Sequence, residues 1–231
     1  MRRRTWIALT LAGILVAVPV GGELLARSVL RDRVRAAASR ALDGDLDIAL
    51  ASRPALLQLA DKRLPFVEVD SAHTRLGRVP DAQVHARLDD VHFTGGDPGR
   101  ATMAAARVTV LIPPSAVAGM VRDVGGMPVA GVRTDPRTDT MTLLMGQAGL
   151  GSVTLRPEIK DGRVRTTVTS VEIMGRTAPD AMTDRIRHAV EGRAEPQAYP
   201  VGLEATSARV EDDGIHVRLA TDSPATLPRT G

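Results

Sequence analysis

The sequence predicts an α+β fold built on an antiparallel sheet. Three observations support this class. A segment with helical periodicity, residues 23–42, comes first. After residue 45 the apolar residues recur at every second position, which is typical of strands with one buried face. Short turn sequences then separate one strand from the next, and only short helical stretches interrupt the series, which indicates hairpin connections.

The N-terminal segment is typical of an export signal. Three arginines, Arg2–Arg4, precede an uncharged run from Thr5 to Gly22 that includes Pro19. Eighteen residues are at the lower limit for a helix that spans a bilayer. Because arginines flank the start of the run, that end is expected to stay in the cytoplasm and everything after Gly22 to be exported. We therefore expect residues 1–22 to be a signal peptide or signal-anchor helix, with the body outside the cytoplasm. The body is tethered if the segment is retained and secreted if it is cleaved.

Residues 23–42 are predicted to form a helix that ends at Asp43-Gly44. Its apolar stripe contains Leu30 and Val34, and arginines recur on the opposite side. Two interpretations are open. The stripe packs in the domain core with the arginines in solvent, or the basic helix lies against anionic lipid next to the membrane span.

The elements of the body are predicted from residue 45 onward. The phase of the apolar residues slips at Asp89-Asp90, which indicates a bulge, and Lys160-Asp161-Gly162 indicates a tight hairpin. Short helices are predicted at 54–63, 116–124 and 181–191. Strands are predicted at 45–50, 67–76, 81–93, 102–112, 129–134, 140–145, 153–159, 163–174, 203–210 and 215–220. The domain is expected to occupy residues 23–220, and residues 221–231 to form a disordered tail.

Composition excludes several classes of function. Residues 1–40 carry a net charge of +6 and the remaining 191 residues a net charge of −3, so the body is not a basic nucleic-acid binder. Four aromatic residues leave little surface for stacking on bases. No cysteine is present, so the exported body has neither a disulfide nor a thiol nucleophile.

Patterns that carry catalysis are weak. The sequence has no G-x-S-x-G, P-loop or H-E-x-x-H motif. His85, Asp89, Asp90 and His92 share a predicted strand. His85, however, has the opposite parity to the apolar residues beside it and is expected to face solvent. The run Asp43, Asp45, Asp47 begins like a calcium loop but lacks its glycine and its final glutamate. We therefore predict no catalytic, cofactor-binding or metal-binding residue, and binding without a reaction.

Several short motifs resemble one family. They are the run Pro54, Leu56, Gln58, Leu59, then Pro65 and Val67, and near the end Gly214, Ile215 and Val217. With the export segment and the arginine-rich helix before them, they resemble the LmeA-like phospholipid-binding family of actinobacterial envelope proteins, over most of residues 23–220. The resemblance implies a TULIP-like fold, a curved antiparallel sheet wrapped on a long N-terminal helix around an apolar groove. It also implies phospholipid binding without chemistry, in some members associated with the assembly of lipid-linked mannan.

A groove of this kind implies particular residues. The short segments Ala55–Ala60 and Val117–Val121 are expected to close it against the sheet. Arginines near its mouth, Arg27, Arg31 or Arg53, are expected to meet the phosphate of the head group. The residues expected to touch acyl chains are Leu56, Leu59, Phe66, Val117, Met120 and Val121.

Three hypotheses of function follow. The first is an exported, membrane-associated protein that binds or transfers phospholipid in the cell envelope, with a partner protein of unknown identity. The second is a membrane-anchored scaffold or interaction domain whose sheet packs solidly and holds no lipid cavity. The third is an envelope enzyme, which paired carboxylates or a Ser–His contact inside a cavity would support.

Overall fold

The computed structural model describes residues 46–50, 63–76, 79–93, 101–121, 123–124, 127–146, 149–191, 199 and 202–226. Within these ranges the chain forms fourteen strands and two helices. In chain order the elements are β1 (Leu46–Leu50), β2 (Arg63–Leu76), β3 (Val79–Phe93), β4 (Ala101–Met103), β5 (Ala105–Ile112), α1 (Pro114–Met120), β6 (Asp123–Val124), β7 (Met127–Asp135), β8 (Thr140–Met145), β9 (Gly151–Lys160), β10 (Arg163–Ile173), β11 (Arg176–Thr177), α2 (Asp180–Glu191), β12 (Glu204–Glu211), β13 (Gly214–Thr221) and β14 (Ala225–Thr226).

The strands form two antiparallel sheets. The first sheet has the order β1-β2-β3-β5-β13-β12, and β4 pairs with both β3 and β14. The second sheet has the order β11-β10-β9-β8-β7-β6. All neighbours in the second sheet are consecutive in the chain, as expected for hairpins. The first sheet instead joins β5 to β13, about a hundred residues later.

Each sheet has its own apolar core. Alternate residues of β2 and β3, such as Val67, Val69 and Val84, bury one face of the first sheet. In the second sheet Met141, Leu143 and Met145 alternate along β8 and pack with residues of α1 and α2. The apolar residues of both sheets recur with period two, so strands rather than a long helix supply most of the buried surface.

The two cores meet at one corner. Ile112 at the end of β5 and Ile215 at the start of β13 each pack against both groups of buried residues. Between them Gly214 has φ +146°, and a Cβ at this position would lie 2.2 Å from the carbonyl oxygen of Ile112. Only glycine lets the two strands approach so closely. A hydrogen bond of 2.6 Å from the Val210 amide to Asp139 Oδ1 further ties β12 to the second sheet.

Turn chemistry agrees with the sequence in detail. Asp161 and Gly162 have φ +54° and +67° and join β9 to β10, which confirms the predicted hairpin. Asp90 has φ +55°, and the buried positions of β3 change from Val84 to Val91, an odd number of residues away. This confirms the change of phase at Asp89-Asp90. The predicted bulge is wrong, because β3 keeps one register with β2 and with β5 and β4 across these residues.

The predicted fold class is wrong. The described residues form two antiparallel sheets with helices of 7 and 12 residues, not one curved sheet wrapped on a long N-terminal helix. The prediction gave too much weight to the helical pattern of residues 23–42, whereas the strand periodicity of the body determines the architecture. Both that helix and the predicted span from Thr5 to Gly22 lie outside the described residues. No helix within the described ranges is long and apolar enough to cross a membrane.

Smaller differences concern element ends. The helix predicted at 116–124 ends at Met120, and Asp123–Val124 pair with β7 instead. In the predicted disordered tail, Thr221 still belongs to β13. Ala225 pairs with Met103 and Thr226 with Thr102, so residues 225–226 extend the first sheet. The predicted helix at 54–63 lies outside the described residues except for Arg63, which begins β2.

Candidate functional site

A trough of about 620 Å³ lies on the first sheet. This volume falls within the range of about 300–1,000 Å³ that is typical of ligand sites. The trough crosses four neighbouring strands and reaches β1 at the sheet edge. Its lining residues are Asp47, Asp70, Ser71, Ala72, Gln83, Val84, His85, Thr109, Leu111 and His216.

Strand register explains why polar residues meet there. Asp47 pairs with Asp70, Asp70 with His85, and His85 with Thr109, which forms one row across the sheet. Two residues further along, a second row runs from Gln83 through Leu111 to His216. Directly paired residues share a face of the sheet. These two rows are therefore the outward face, because the residues between them, such as Val84 and Val110, are buried.

A carboxylate and an imidazole form the centre of the first row. Asp70 Oδ1 lies 2.5 Å from Nδ1 of His85, and both side chains are about half exposed. Asp47 stands opposite Asp70 on β1, so two carboxylates occupy the β1 side of the trough. This side is suited to accept hydrogen bonds from an ammonium or hydroxyl group.

Ser71 supplies a polar atom without a partner. The residue is 4% exposed, and its hydroxyl makes no hydrogen bond with any described residue. A buried hydroxyl that stays unpaired costs about 1–3 kcal/mol, so such groups are uncommon. Ser71 pairs with Val84 and, like it, points to the core side of the sheet, so its hydroxyl lies beneath the trough rather than on its surface.

An exposed cation, Arg218, lies next to Thr109 at the end of the first row. Arg218 on β13 is paired with Thr109, so its side chain stands beside the trough on the same face. Within the described residues its backbone oxygen accepts from Thr206, and its guanidinium makes no ion pair. A free guanidinium is the side chain best suited to bind a phosphate.

Two neighbouring arginines of this face, Arg87 and Arg107, are occupied. Arg87 contacts Asp89 at 3.0 Å and Glu68 at 2.7 Å, and its guanidinium lies 4.5 Å above the Phe66 ring. The hydrogen bond to Asp89 is the largest cause that raises the pKa of Arg87, with Glu68 adding to it and burial opposing. Arg107 also binds Asp89, at 2.8 Å. Arg218, which continues the first row, is therefore the arginine that a ligand in the trough can reach.

His216 connects the trough to the β12–β13 turn. Its Nε2 lies 2.7 Å from Asp213 Oδ1 and 3.8 Å from Glu211 Oε2. The hydrogen bond with His216 is the main cause that lowers the pKa of Asp213. The atoms of these three residues that could bind a metal lie within 4.8 Å of one another. Among the described residues, this is the group close enough together to hold a metal ion. Both carboxylates are exposed, and the hairpin itself accounts for the contacts.

The arrangement is suited to binding rather than to acyl transfer. Asp70 and His85 form a pair of the kind that orients an imidazole in catalysis. The only serine that lines the described trough is Ser71, and its hydroxyl makes no hydrogen bond to His85 or to any other described group. The two carboxylates, Asp47 and Asp70, are paired across β1 and β2, which is the one feature here that the enzyme hypothesis anticipates.

The residues predicted to touch lipid lie in separate places. Phe66 is half-buried on the outward face under Arg87. Val117 is buried in the second core, Val121 packs partly against it, and Met120 is 37% exposed. Helix α1 lies near Pro80, at the start of β3, whereas Phe66 pairs with Asp89 nine residues further along. That separation is roughly 30 Å, so Phe66 and α1 are at opposite ends of β3. Leu56, Leu59, Arg27, Arg31 and Arg53 lie outside the described residues, and the groove stays a prediction.

Sequence reasoning missed the trough. It predicted correctly that His85 faces outward, but it treated that face as a solvated surface. The signal was the outward parity of Asp70, Gln83 and His85, which carry polar groups at successive outward positions. The sequence does not reveal the register of β5 and β13, which brings Thr109, His216 and Arg218 to the same face beside Asp70 and His85.

Comparisons with known proteins point to lipid. A family model described as LmeA-like phospholipid-binding matches residues 21–220. Uncharacterized proteins of Mycobacterium bovis and Mycobacterium tuberculosis are 22% identical over 223 residues. The aligned region covers 94% of this chain and 62% of each relative, so the chain spans less than two thirds of their length. No solved structure matches the chain.

Proposed function

We propose that this chain, which belongs to the LmeA-like phospholipid-binding family, binds a phospholipid without reacting with it. The observation that carries this proposal is the family match over residues 21–220, nearly the whole body of the chain. The structure supports it with a trough of suitable volume, lined by carboxylate, amide, hydroxyl and imidazole groups, with Arg218 beside it on the same face. A ligand that contains both a phosphate and hydroxyl or ammonium groups satisfies such a surface.

We further propose that the protein acts outside the cytoplasm, at the membrane of the cell envelope. Arg2–Arg4 before the uncharged run from Thr5 to Gly22 support export of the body. A protein in this place gains access to phospholipid in the outer leaflet and can pass it to an acceptor. Transfer, rather than storage, is favoured because the trough is open on the sheet surface, so a lipid can enter and leave without unfolding.

The head group is proposed to occupy the trough. Arg218 binds the phosphate at one side, and the Gln83 amide donates hydrogen bonds to its oxygens. Asp47 and Asp70 accept from hydroxyl or ammonium groups on the β1 side. Charge-assisted hydrogen bonds of this kind contribute about 1.5–3 kcal/mol each. Arg27, Arg31 and Arg53 remain the alternative set for the phosphate that the sequence predicts.

The acyl chains are proposed to contact the predicted groove residues. Of the described members on or next to α1, Met120 and Val121 are not fully buried, and Leu56 and Leu59 are the predicted partners. Each buried CH₂ contributes roughly 0.8 kcal/mol, so chain binding depends on area and tolerates variety in length. Met120→Trp is expected to lower lipid affinity without unfolding the protein, because its side chain already reaches solvent.

A matched pair of arginine variants tests the head-group site. Arg218→Ala removes the cation beside the trough. Arg165→Ala removes an exposed arginine on β10 of the other sheet that likewise makes no ion pair with described residues. Phospholipid affinity, measured by titration with a fluorescent lipid, is expected to fall about 10- to 100-fold for Arg218→Ala. It is expected to stay unchanged for Arg165→Ala. Equal affinities of the two variants would contradict the assignment.

A packed scaffold is the second candidate function. It is favoured by one observation, that the apolar side chains of both cores are buried among themselves rather than around an open apolar cavity. The two functions differ in what co-purifies with the protein. Phospholipid found by mass spectrometry on the full chain purified from its native membrane supports the carrier. Its absence at every protein concentration supports the scaffold.

A further inference from the structure

Two large apolar side chains are exposed together at one end of the second sheet. Leu150, just before β9, is 54% exposed, and Met174, in the turn between β10 and β11, is 74% exposed. The Met174 amide donates a hydrogen bond of 2.7 Å to the carbonyl oxygen of Leu150. The two turns are therefore held side by side. We refer to Leu150, Met174 and the neighbouring Arg176 as the tip.

The backbone at Met174 is unusual for a methionine. Five described residues other than glycine have positive φ, and four of them are aspartates: Asp81, Asp90, Asp139 and Asp161. Aspartate tolerates this region because its short side chain bonds to nearby backbone. The fifth is Met174, at φ +51°. Turn stability therefore favours Asp or Asn here, and the core gains nothing from a side chain that points into solvent. This combination indicates that the methionine serves a contact outside the molecule.

The small apolar area of the tip limits the kind of partner that it can contact. Two partly exposed side chains present on the order of 200 Å² of apolar surface, well below the roughly 800 Å² per partner of a stable protein–protein interface. Shallow insertion into a lipid surface requires no flat complementary area, and small protruding apolar side chains are suited to it.

Charge around the tip fits a phospholipid surface. Arg176 is exposed, lies two residues from Met174, and makes no ion pair with described residues. Glu172 is the acidic residue on the same hairpin, paired with Thr177 across β10 and β11. A guanidinium beside inserted apolar side chains meets the phosphates at the depth of the head groups.

We propose that the tip docks the protein on a phospholipid bilayer, with Met174 and Leu150 inserted below the head groups and Arg176 at the phosphates. This inference rests on the proposed function and deepens it. The trough holds the head group of a bound lipid, and the tip holds the protein on the membrane from which that lipid comes.

Single-tryptophan variants test the insertion directly. In the full chain Trp6 is the only tryptophan, so Trp6→Phe gives a background without tryptophan. Met174→Trp and Leu150→Trp report on the tip. Ile159→Trp is the matched control, since Ile159 is 40% exposed and lies at the other end of β9, roughly 30 Å away. The probe is vesicles of phosphatidylcholine and phosphatidylglycerol with brominated acyl chains, which quench only an inserted indole.

The expected result is quenching of roughly twofold or more at positions 150 and 174, with none at 159. Equal quenching at all three positions, or quenching at 159 alone, overturns the proposal. Absence of quenching at every position also overturns it, and a tip used for protein contacts would give that result.

A second measurement separates the tip from the lipid site. The double variant Leu150→Asp, Met174→Asp is expected to keep its affinity for a short-chain phospholipid in solution. Extraction of lipid from vesicles is expected to slow about tenfold. Extraction at the wild-type rate contradicts the role of the tip. Loss of binding to the short-chain lipid also contradicts it, because the two sites would then not be separate. A wild-type protein that binds no short-chain lipid refutes the proposed function instead, and the quenching experiment still tests the tip.

Discussion

The two sheets differ most in the face that does not carry their apolar core. On the first sheet this face carries charges and imidazoles: Asp70 with His85, Arg87 with Glu68 and Asp89, and Arg218 alone. On the second sheet the corresponding positions mix threonines with charged residues. Thr142 Oγ1 lies 3.2 Å from Thr154 Oγ1 across β8 and β9, and Arg165 stands opposite Glu158 without forming an ion pair with it. Neutral hydroxyls that pair with each other stabilise a sheet without attracting a ligand.

This contrast indicates that the two sheets have different roles. Charged groups at a surface contribute little to stability, typically less than about 1 kcal/mol per pair. The ion pairs of the first sheet, grouped beside the trough and Arg218, are therefore better explained by binding. The second sheet provides two packed helices and, at its end, the exposed tip. The predictions below test whether the sheets are separate in function but joined in folding.

The largest effect is expected where the sheets join. Gly214→Ala places a Cβ against the Ile112 carbonyl and is expected to lower the free energy of unfolding by more than about 3 kcal/mol. Gly146→Ala is the control. Gly146 also has positive φ, +74°, but nothing lies within 4 Å of the added Cβ. It is expected to cost only about 1 kcal/mol. Urea unfolding measures both, and equal losses would contradict the close approach at Gly214.

Cooperation between the cores is tested by two leucines of equal burial. Leu64 in the first core and Leu143 in the second are both completely buried. Each change to Ala is expected to cost about 2–5 kcal/mol. Because Ile112 and Ile215 pack against both cores, we expect one unfolding transition that moves as a whole in either variant. Two separate transitions in denaturant would show that the sheets fold independently.

Removal of one hydroxyl from each sheet is expected to have opposite effects on stability. Ser71→Ala removes a buried oxygen that has no partner, so stability is expected to stay constant or rise by up to about 1 kcal/mol. Thr142→Val leaves Thr154 without its partner and is expected to cost about 1 kcal/mol. Phospholipid affinity should stay unchanged in both variants, because the Ser71 hydroxyl points into the core and Thr142 belongs to the other sheet. A clearly destabilised Ser71→Ala would contradict the absence of a partner for this hydroxyl.

The smallest effect concerns pH at the edge of the first sheet. Arg63 binds both carboxylate oxygens of Asp90, at 2.6 and 2.9 Å, and this is the main cause that lowers the pKa of Asp90 below 3.8. A lowered pKa in the folded state stabilises the protein above the unfolded value and is lost as the pH falls through the folded value. The wild type should therefore be slightly more stable than Asp90→Asn at pH 6. The difference should shrink as the pH falls below the ordinary value of 3.8 and disappear once the pH is under the lowered pKa of Asp90 in the folded state. Thermal unfolding of both proteins across this pH range checks it.

Local chemistry made part of this structure predictable. The hairpin at Asp161-Gly162, the change of phase at Asp89-Asp90 and the outward position of His85 all follow from residues within a few positions of each other. The pairing of β5 with β13 does not, because it joins segments about a hundred residues apart. The architecture and the trough both depend on that pairing. The prediction of a sheet on a long helix was therefore wrong, although most strand positions were right. For the same reason, the polar residues of the trough were interpreted only as a solvated surface.

The histidines allow the most direct test of the central claim, that phospholipid binds on the first sheet. His85 and His216 line the trough, whereas His188 lies on α2 against the second sheet. In a sample with labelled imidazoles, titration with a short-chain phosphatidylglycerol should shift the NMR signals of His85 and His216 in parallel. The signal of His188 should not move. A shift confined to His188, or no shift of His85 and His216 while the lipid is demonstrably bound, would contradict the account.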